Sequence, residues 1–361
     1  MEYILQPMFT YLGNKRKLID GIERVVVQVK EKLGKEKIKI LDAFTGTTVV
    51  SRMLSQHAHE IHTNDLELYS FIAARCFIRR PTLEQQQDIE HHIRHMNSMT
   101  EWTPGIITEL YAPKDSNNVQ IGERAFYTHE NALRLDTWRK YIDECVSTEL
   151  VDWVLCPVLI QMSIHANTMG HLKAFIKKNN IGAFDGKRVT DPLVLKVPVW
   201  NPWDCTVHCH NVSTNVLIDS ISDFDLIYID PPYNQHEYGA YYFLMNVFAK
   251  NQCPENVNAV TGLPKMRVKS DYNTERGAKE AMRHLVQRGL NISKYLLISY
   301  NDEGLIKPHD WNDILSGYTV ECIETEYSRY VATGTKKDCH KTVKELLYLV
   351  SSSGQFDIPR E

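Results

Sequence analysis

The stretch "DLIYIDPPYN", residues 225–234, limits the fold more than any other part of this 361-residue chain. Its apolar run, Leu226 to Ile229, has the length and continuity of a strand buried on both faces. It stops on a carboxylate, two prolines, a tyrosine and an asparagine. Proline has no backbone N–H to donate, and the residue before each proline is pushed towards extended geometry, so a helix cannot start comfortably here. Asp230 and Tyr233 are thereby held stiffly at the carboxyl edge of a sheet, where open α/β sheets bind ligands. Taken alone, the tetrapeptide could also be a plain strand terminator, so the rest of the chain has to decide.

The first third of the chain has an α/β rhythm. "KIKILDAFTG" reads as a strand running into a glycine turn, "TTVVSRMLSQHA" as a helix, "EIHTNDLE" as a second strand and "LYSFIAARCFIRR" as a second helix. The last third resumes it, with helices at "YYFLMNVFAK" and "AKEAMRHLVQRGL", the strand "YLLISY", and late strands around "YTVECIETEYSRY" and "KELLYLV". Between them, "LEQQQDIEHHIRHM", "ENALRLDTWRKYIDECV" and "ELVDWVLCPVLIQMSIHAN" are amphipathic helical stretches with no clear strand. The expected organisation is a discontinuous α/β catalytic domain, 1–80 and 201–350, interrupted by a mainly helical insertion, 81–200. A flexible tail would follow at 351–361.

A net charge of −4 gives no global signal for nucleic acid, so any DNA contact must come from a local patch. The polar stretch "TGLPKMRVKSDYNTERGA", 261–278, supplies one in Lys265, Arg267, Lys269 and Arg276. It reads either as a solvated loop or as a phosphate-contacting one. A second polar stretch, 177–191, also reads as an exposed loop. No signal-peptide pattern and no run of 18 apolar residues occurs, so the expected location is cytoplasmic, without a membrane partner. The eight cysteines are scattered, which argues for reduced thiols. "DCTVHCH" places Cys205, His208, Cys209 and His210 close together, but no second ligand pair stands at a convincing spacing. It reads as a plain strand, and no metal is expected.

The segment "ILDAFTGTTVVS", 40–51, is a strand, a turn tightest at Gly46, and a helix. Such turns let a cofactor approach the backbone while helix N–H groups face it. Asp65 follows at about the twenty-residue offset at which dinucleotide-binding folds place the acid for the ribose hydroxyls; its alternative is a helix cap. Asp42, Gly46 and Asp65 together describe an adenosine-bearing cofactor. Nearer the N-terminus, "FTYLGNKRKLI" makes a tight turn at Gly13-Asn14 and opens a helix on three cations. Cations are unfavourable at that end of a helix dipole. Lys15 is therefore either part of a solvated basic face or placed for a carboxylate or phosphate.

In this order, "YLGNKRKL", "LDAFTGTTVVS", "TNDLE" and "DPPYN" resemble the Dam-like class of DNA adenine-N6 methyltransferases. "FYTHENALRLDTWR", "NTMGHLKAFIKK", "DPPYNQHEYGAYYFLMN", "LLISYNDEGLI" and "EYSRY" resemble segments of its restriction–modification branch, so the likeness spans nearly residues 8 to 350. It implies a Rossmann-like S-adenosylmethionine-dependent methyltransferase fold, S-adenosylmethionine as cofactor and double-stranded DNA as substrate. A cognate restriction endonuclease would act separately, and the helical insertion would recognise the target site. Tyr11, Gly13 and Lys15 would line the methionine end of the cofactor. Asp42, Phe44 and Gly46 would form the turn beneath it, Asp65 would hold the ribose, and Asp230, Pro231 and Tyr233 would make the catalytic loop, with Asp230 also bordering the cofactor. Two positions depart from the pattern: Thr48 replaces a second glycine, and Asn211 replaces an acid often found before the catalytic strand.

The implied chemistry answers why a buried strand should end this way. The exocyclic amine of adenine is a poor nucleophile, because its lone pair is delocalised into the ring. Asp230 and the carbonyl of Pro231 could accept its two N–H groups and localise that pair, with the prolines fixing the alignment in advance. Tyr233 would stack on a base that has left the duplex. Rival readings are methylation of the cytosine N4 amine, of RNA adenine or of a protein glutamine, and an inactive DNA-binding relative. A dinucleotide-dependent oxidoreductase lacks its G-x-G-x-x-G run.

Overall fold

The structure is a computed structural model that describes residues 2–6, 8–328 and 342–352. The end of "EYSRY", Cys339 and most of the expected tail lie outside the described residues.

Seven strands form one sheet: β1 (Ile38–Asp42), β2 (Ala58–Asn64), β3 (Thr206–His210), β4 (Phe224–Ile229), β5 (Ser293–Asn301), β6 (Tyr318–Ser328) and β7 (Thr342–Ser352). Their spatial order is β3-β2-β1-β4-β5-β7-β6. The first five run parallel, while β7 is antiparallel to both of its neighbours, β5 and β6. The chain therefore works outward from β1 through β2 to β3 and returns to the other side of β1 at β4. That reversal places a topological switch point between the carboxyl ends of β1 and β4, where open α/β sheets form their ligand crevice. This is the Rossmann-like methyltransferase fold.

The helices that cover the sheet are α1 (Ile19–Leu33), α2 (Val49–His57), α3 (Leu68–Phe77), α4 (Leu83–Ser98), α5 (His129–Cys145), α6 (Val151–His165), α7 (Phe243–Lys250) and α8 (Glu275–Ile292). Alternate residues of each central strand feed two cores, as the period of two requires. Ile38, Ile40, Leu226, Tyr228 and Leu297 face one side, with α1, α2, α3 and α7. Leu41, Ile227, Ile229, Leu296 and Ile298 face the other, against Met282, Leu285 and Val286 of α8. Every residue of β4 is buried, as its unbroken apolar run demands.

The region 81–200 is mainly helical. Thr82 and Gln85 close a capping box at the start of α4. Ile89, Ile93, Trp138 and Leu159 join the same apolar core as α3 and α7, so α4, α5 and α6 pack onto the first layer of helices. Within the expected loop 177–191, Lys177–Lys178 and Ile181–Gly182 pair as a short antiparallel hairpin. Its turn residues Asn179 and Asn180 have φ of 50° and 64°, a left-handed pair that asparagine tolerates and a two-residue hairpin turn needs. No helix among the described residues is long and apolar enough to cross a membrane.

Candidate active site

A cavity opens at the switch point, and Tyr11, Gly13, Lys15, Phe44, Gly46, Asp65, Asp230, Pro231 and Tyr233 all border it. Asp42 does not. It is fully buried beneath the glycine turn, where it accepts hydrogen bonds from Ser51 Oγ and the Phe44 amide. Its place is the floor of the turn, which it holds down from below. The turn is further pinned by the amide of Ala43 on the Tyr228 carbonyl, 2.9 Å, and that of Thr45 on the Asn64 carbonyl, 2.9 Å. Gly46 has a φ of 52°, and Thr48, where the resemblance expects a glycine, has a φ of 65°. A β-branched residue there is strained, so the turn keeps its left-handed shape at a cost the more usual glycine avoids.

Asn14 caps a short 3₁₀ turn, Lys15–Leu18, through its side chain. This turn carries Lys15 inward rather than out to solvent. Its side chain is 4% exposed, and its ammonium lies 3.1 Å from Asp230 Oδ1 and 2.5 Å from Glu345 Oε1. Of the two readings of Lys15, the carboxylate partner is the one observed. Burial pushes the Asp230 carboxyl up to about 7, with Lys15 pulling it down and Glu345 pushing it further up. The backbone amide of Leu305 donates to the Tyr233 carbonyl at 2.9 Å, and Asn273 Nδ2 donates to the carbonyls of Asn234 and His236. The loop after β4 is thus fastened on both sides.

Asp65 joins two loops. Its Oδ2 accepts the Gly46 amide at 2.7 Å, and its Oδ1 accepts the Glu67 amide at 2.9 Å. Asn211, standing in place of an acid, donates to the Asp65 carbonyl at 2.8 Å. Burial raises Asp65 to about 6 and the nearby Glu67 to about 7. Thr45 Oγ1 borders the same cavity, buried and without a hydrogen-bond partner. A cavity with acids on its wall, an unmatched hydroxyl and a glycine turn open to close approach suits a polar, cationic, adenosine-bearing molecule. The residues present therefore fit S-adenosylmethionine.

Several residues in the wall or just behind it escaped the sequence reading. The Tyr11 ring stacks with those of Tyr238, 5.0 Å away, and Tyr242, 4.8 Å away. Gly13, at a φ of 75°, packs under Tyr233, because a side chain there would come within 3.1 Å of the phenol oxygen. Val268 to Asn273 close another side, with Tyr272 edge-on to Phe44 at 5.1 Å. "EYGAYYF" carries the two tyrosines at helical spacing just after the Asp230–Tyr233 loop, a signal that was available. Glu345 had no local signal.

The basic loop is divided in its roles. Arg267 is spent on Glu237, with Nη2 2.5 Å from Oε2. Lys265 and Lys269 are exposed, and Lys269 borders the cavity mouth.

Residues 11–296 match the family model described as D12 class N6 adenine-specific DNA methyltransferase. The chain belongs to that family. The enzyme is 27% identical over 360 residues to modification methylase StsI of Streptococcus sanguinis, an alignment covering 94% of this chain and 51% of that relative. Type II methyltransferase M.CviAII of Paramecium bursaria Chlorella virus 1 is 27% identical, with 89% and 92% covered. Type II methyltransferase M.NlaIII of Neisseria lactamica is 26% identical, with 94% and 97% covered. The methyltransferase thus spans about half of the first relative and nearly the whole of the other two. The family match includes every cavity residue named above, whereas Glu345 on β7 lies beyond residue 296.

Proposed function

We propose that the enzyme methylates the exocyclic N6 amine of an adenine turned out of double-stranded DNA, and that it is the modification partner of a restriction endonuclease. The observation that carries this reading is Asp230, held at the end of β4 by buried Lys15 and facing the cavity that the Gly46 turn floors. S-adenosylmethionine, when bound, supplies the methyl group and, as a sulfonium, the driving force. Asp65 and the Gly46 backbone would hold its ribose side, and Tyr11 and the Gly13 turn its methionine side. Lys15 favours the ionised form of Asp230, which is the form that accepts an N–H.

One Asp230 oxygen and the Pro231 carbonyl accept the two amine hydrogens, so the lone pair on N6 points towards the methyl donor. The surplus proton on N6 then leaves to Asp230, whose carboxyl, raised to about 7, can take it near neutral pH. Tyr233 stacks on the base. The helical region 81–200 reads the target sequence, while Lys265 and Lys269 contact phosphate. The names of the relatives, modification methylase and type II methyltransferase, support the restriction–modification assignment, and a bacterial-type enzyme of this kind works in the cytoplasm.

Single-turnover transfer of labelled methyl to duplex DNA tests the catalytic assignment. Asp230→Ala should slow it by about a hundred- to a thousand-fold, the usual cost of one preorganised contact, while S-adenosylmethionine still binds. A wild-type rate would reduce Asp230 to a strand terminator. Sequencing that detects modified bases in cells expressing the enzyme would report adenine or cytosine, together with the target site.

A further inference from the structure

On the far edge of the sheet from β7, strands β2 and β3 gather three imidazoles and a carboxylate. Their parallel register sets His62 beside His208 and Glu60 beside Thr206. The two-residue period then brings Glu60, His62, His208 and His210 to one face and turns Cys209 to the other. One donor atom each from Glu60, His62 and His208 lie within 4.8 Å of one another. His62 Nε2 stands 2.8 Å, and His208 Nε2 3.8 Å, from the same Glu60 oxygen.

One of these groups is firmly held. His62 is 9% exposed and packs edge-on against Phe224 at 5.0 Å. Its other nitrogen, Nδ1, lies 3.2 Å from His210 Nε2. When His62 Nε2 gives up its proton, the ring keeps the other on Nδ1, and His210 Nε2 accepts it. This is the arrangement by which metal-bound histidines are oriented from behind. His208 lies on the edge strand with about half of its side chain exposed, so its ring can swing the short distance inward.

We propose that Glu60, His62 and His208 bind a divalent cation of the Zn²⁺ class, with His210 orienting His62 and water completing the coordination. Two imidazoles and a carboxylate suit zinc and its neighbours, whereas magnesium and calcium prefer oxygen ligands alone. The cation displaces one competitor, the Lys39 ammonium, which lies 3.1 Å from Glu60 Oε1. Bound there, it pins edge strand β3 to β2. The two strands run directly into Asn211 and Asp65, whose loops are joined by the contact described above. The sequence "DCTVHCH" hides this site because its second ligand pair comes from β2 and not from the neighbouring residues.

Calorimetry with Zn²⁺ alone on the chelator-stripped full chain, paired with the visible spectrum of the Co²⁺ form, tests the site. One equivalent should bind. His210→Ala should weaken it by about 10–100-fold, the usual cost of losing an orienting partner, and His208→Ala by at least as much. Lys39→Met should tighten it. His208 is exposed, so His208→Ala should fold normally, and its unchanged melting temperature without metal would verify this. Zn²⁺ affinity that is the same in His208→Ala and wild type would put the metal on cysteines elsewhere and overturn the proposal. So would a Kd of about 1 mM or weaker, a free energy of only about −4 kcal/mol.

Discussion

Lys15 Nζ lies 2.5 Å from Glu345 Oε1, although 330 residues separate the two along the chain. The same ammonium reaches Asp230, so one buried cation serves two carboxylates. Glu345 is fully buried on β7 and also accepts a hydrogen bond from Ser299 Oγ of β5. Burial raises the Asp230 carboxyl to about 7, Lys15 opposes the rise, and the Glu345 charge adds to it.

Glu345→Gln keeps an oxygen for Lys15 but removes the competing charge. Asp230 would then face Lys15 without the Glu345 charge, with Tyr228, Tyr238 and Asp42 as its remaining titratable neighbours. Its pKa should fall. The acid limb of the single-turnover rate against pH, expected near 7 in the wild type, should move to lower pH. A limb that stays in place would show that Glu345 does not act on Asp230.

Lys15→Met leaves Asp230 and Glu345 facing each other without a cation. Removing one partner of a buried ion pair costs about 3–5 kcal/mol in other proteins. Urea unfolding near neutral pH should show a loss in that range, shrinking as acid protonates Asp230. A loss below about 1 kcal/mol, the scale of an exposed pair, would contradict the buried network.

Loop 261–278 should prove unequal in its charges. Exposed Lys265 and Lys269, changed together to Ala, should lower the slope of log affinity for DNA against log salt by about two, one for each phosphate contact. Arg267→Ala should change the slope less, because its guanidinium is engaged by Glu237. Equal effects from all three would mean that the Glu237 pair opens on DNA.

Burial raises Asp42 to about 7, above its ordinary range. A carboxyl whose folded pKa is raised contributes stability that is complete below its unfolded pKa, about 4, and is lost as pH rises through the folded value. Asp42→Asn cannot ionise. Its melting temperature should exceed that of the wild type at pH 8, by about 2–4 °C for each kcal/mol recovered, and the difference should vanish near pH 4. Parallel melting curves across that range would show that Asp42 stays protonated throughout.

Much of this arrangement is written in local pattern. The unbroken apolar run before Asp230, the glycine turn at 46 and the switch from helical to alternating period located β1, β2, β4 and the cavity between them. The residues that were missed reach the site from a distance. Glu345 stands beside Lys344 at the start of the apolar run of β7, with nothing local to single it out, and only the insertion of β7 beside β5 brings it to Lys15. Asn273 and Tyr272 sit in a polar loop, where nothing in the sequence separates a fastening residue from a solvated one. The same loop held Arg267, whose charge suggested DNA until its partner Glu237 was visible. Glu60 and His62 were invisible as partners of His208 for the same reason: strand pairing, not spacing, makes them neighbours.

The place of β7 in the sheet also sets a timetable. A ribosome releases Lys15, the glycine turn and the Asp230 loop early, but the interval to Glu345 takes about 15–70 s at about 5–20 residues per second. Until β7 slides between β5 and β6, Lys15 lacks one of its two anions and the sheet lacks the strand that joins β6 to β5. A nascent chain can thus hold nearly all of the cavity wall while Lys15 still waits for the second of its two carboxylates.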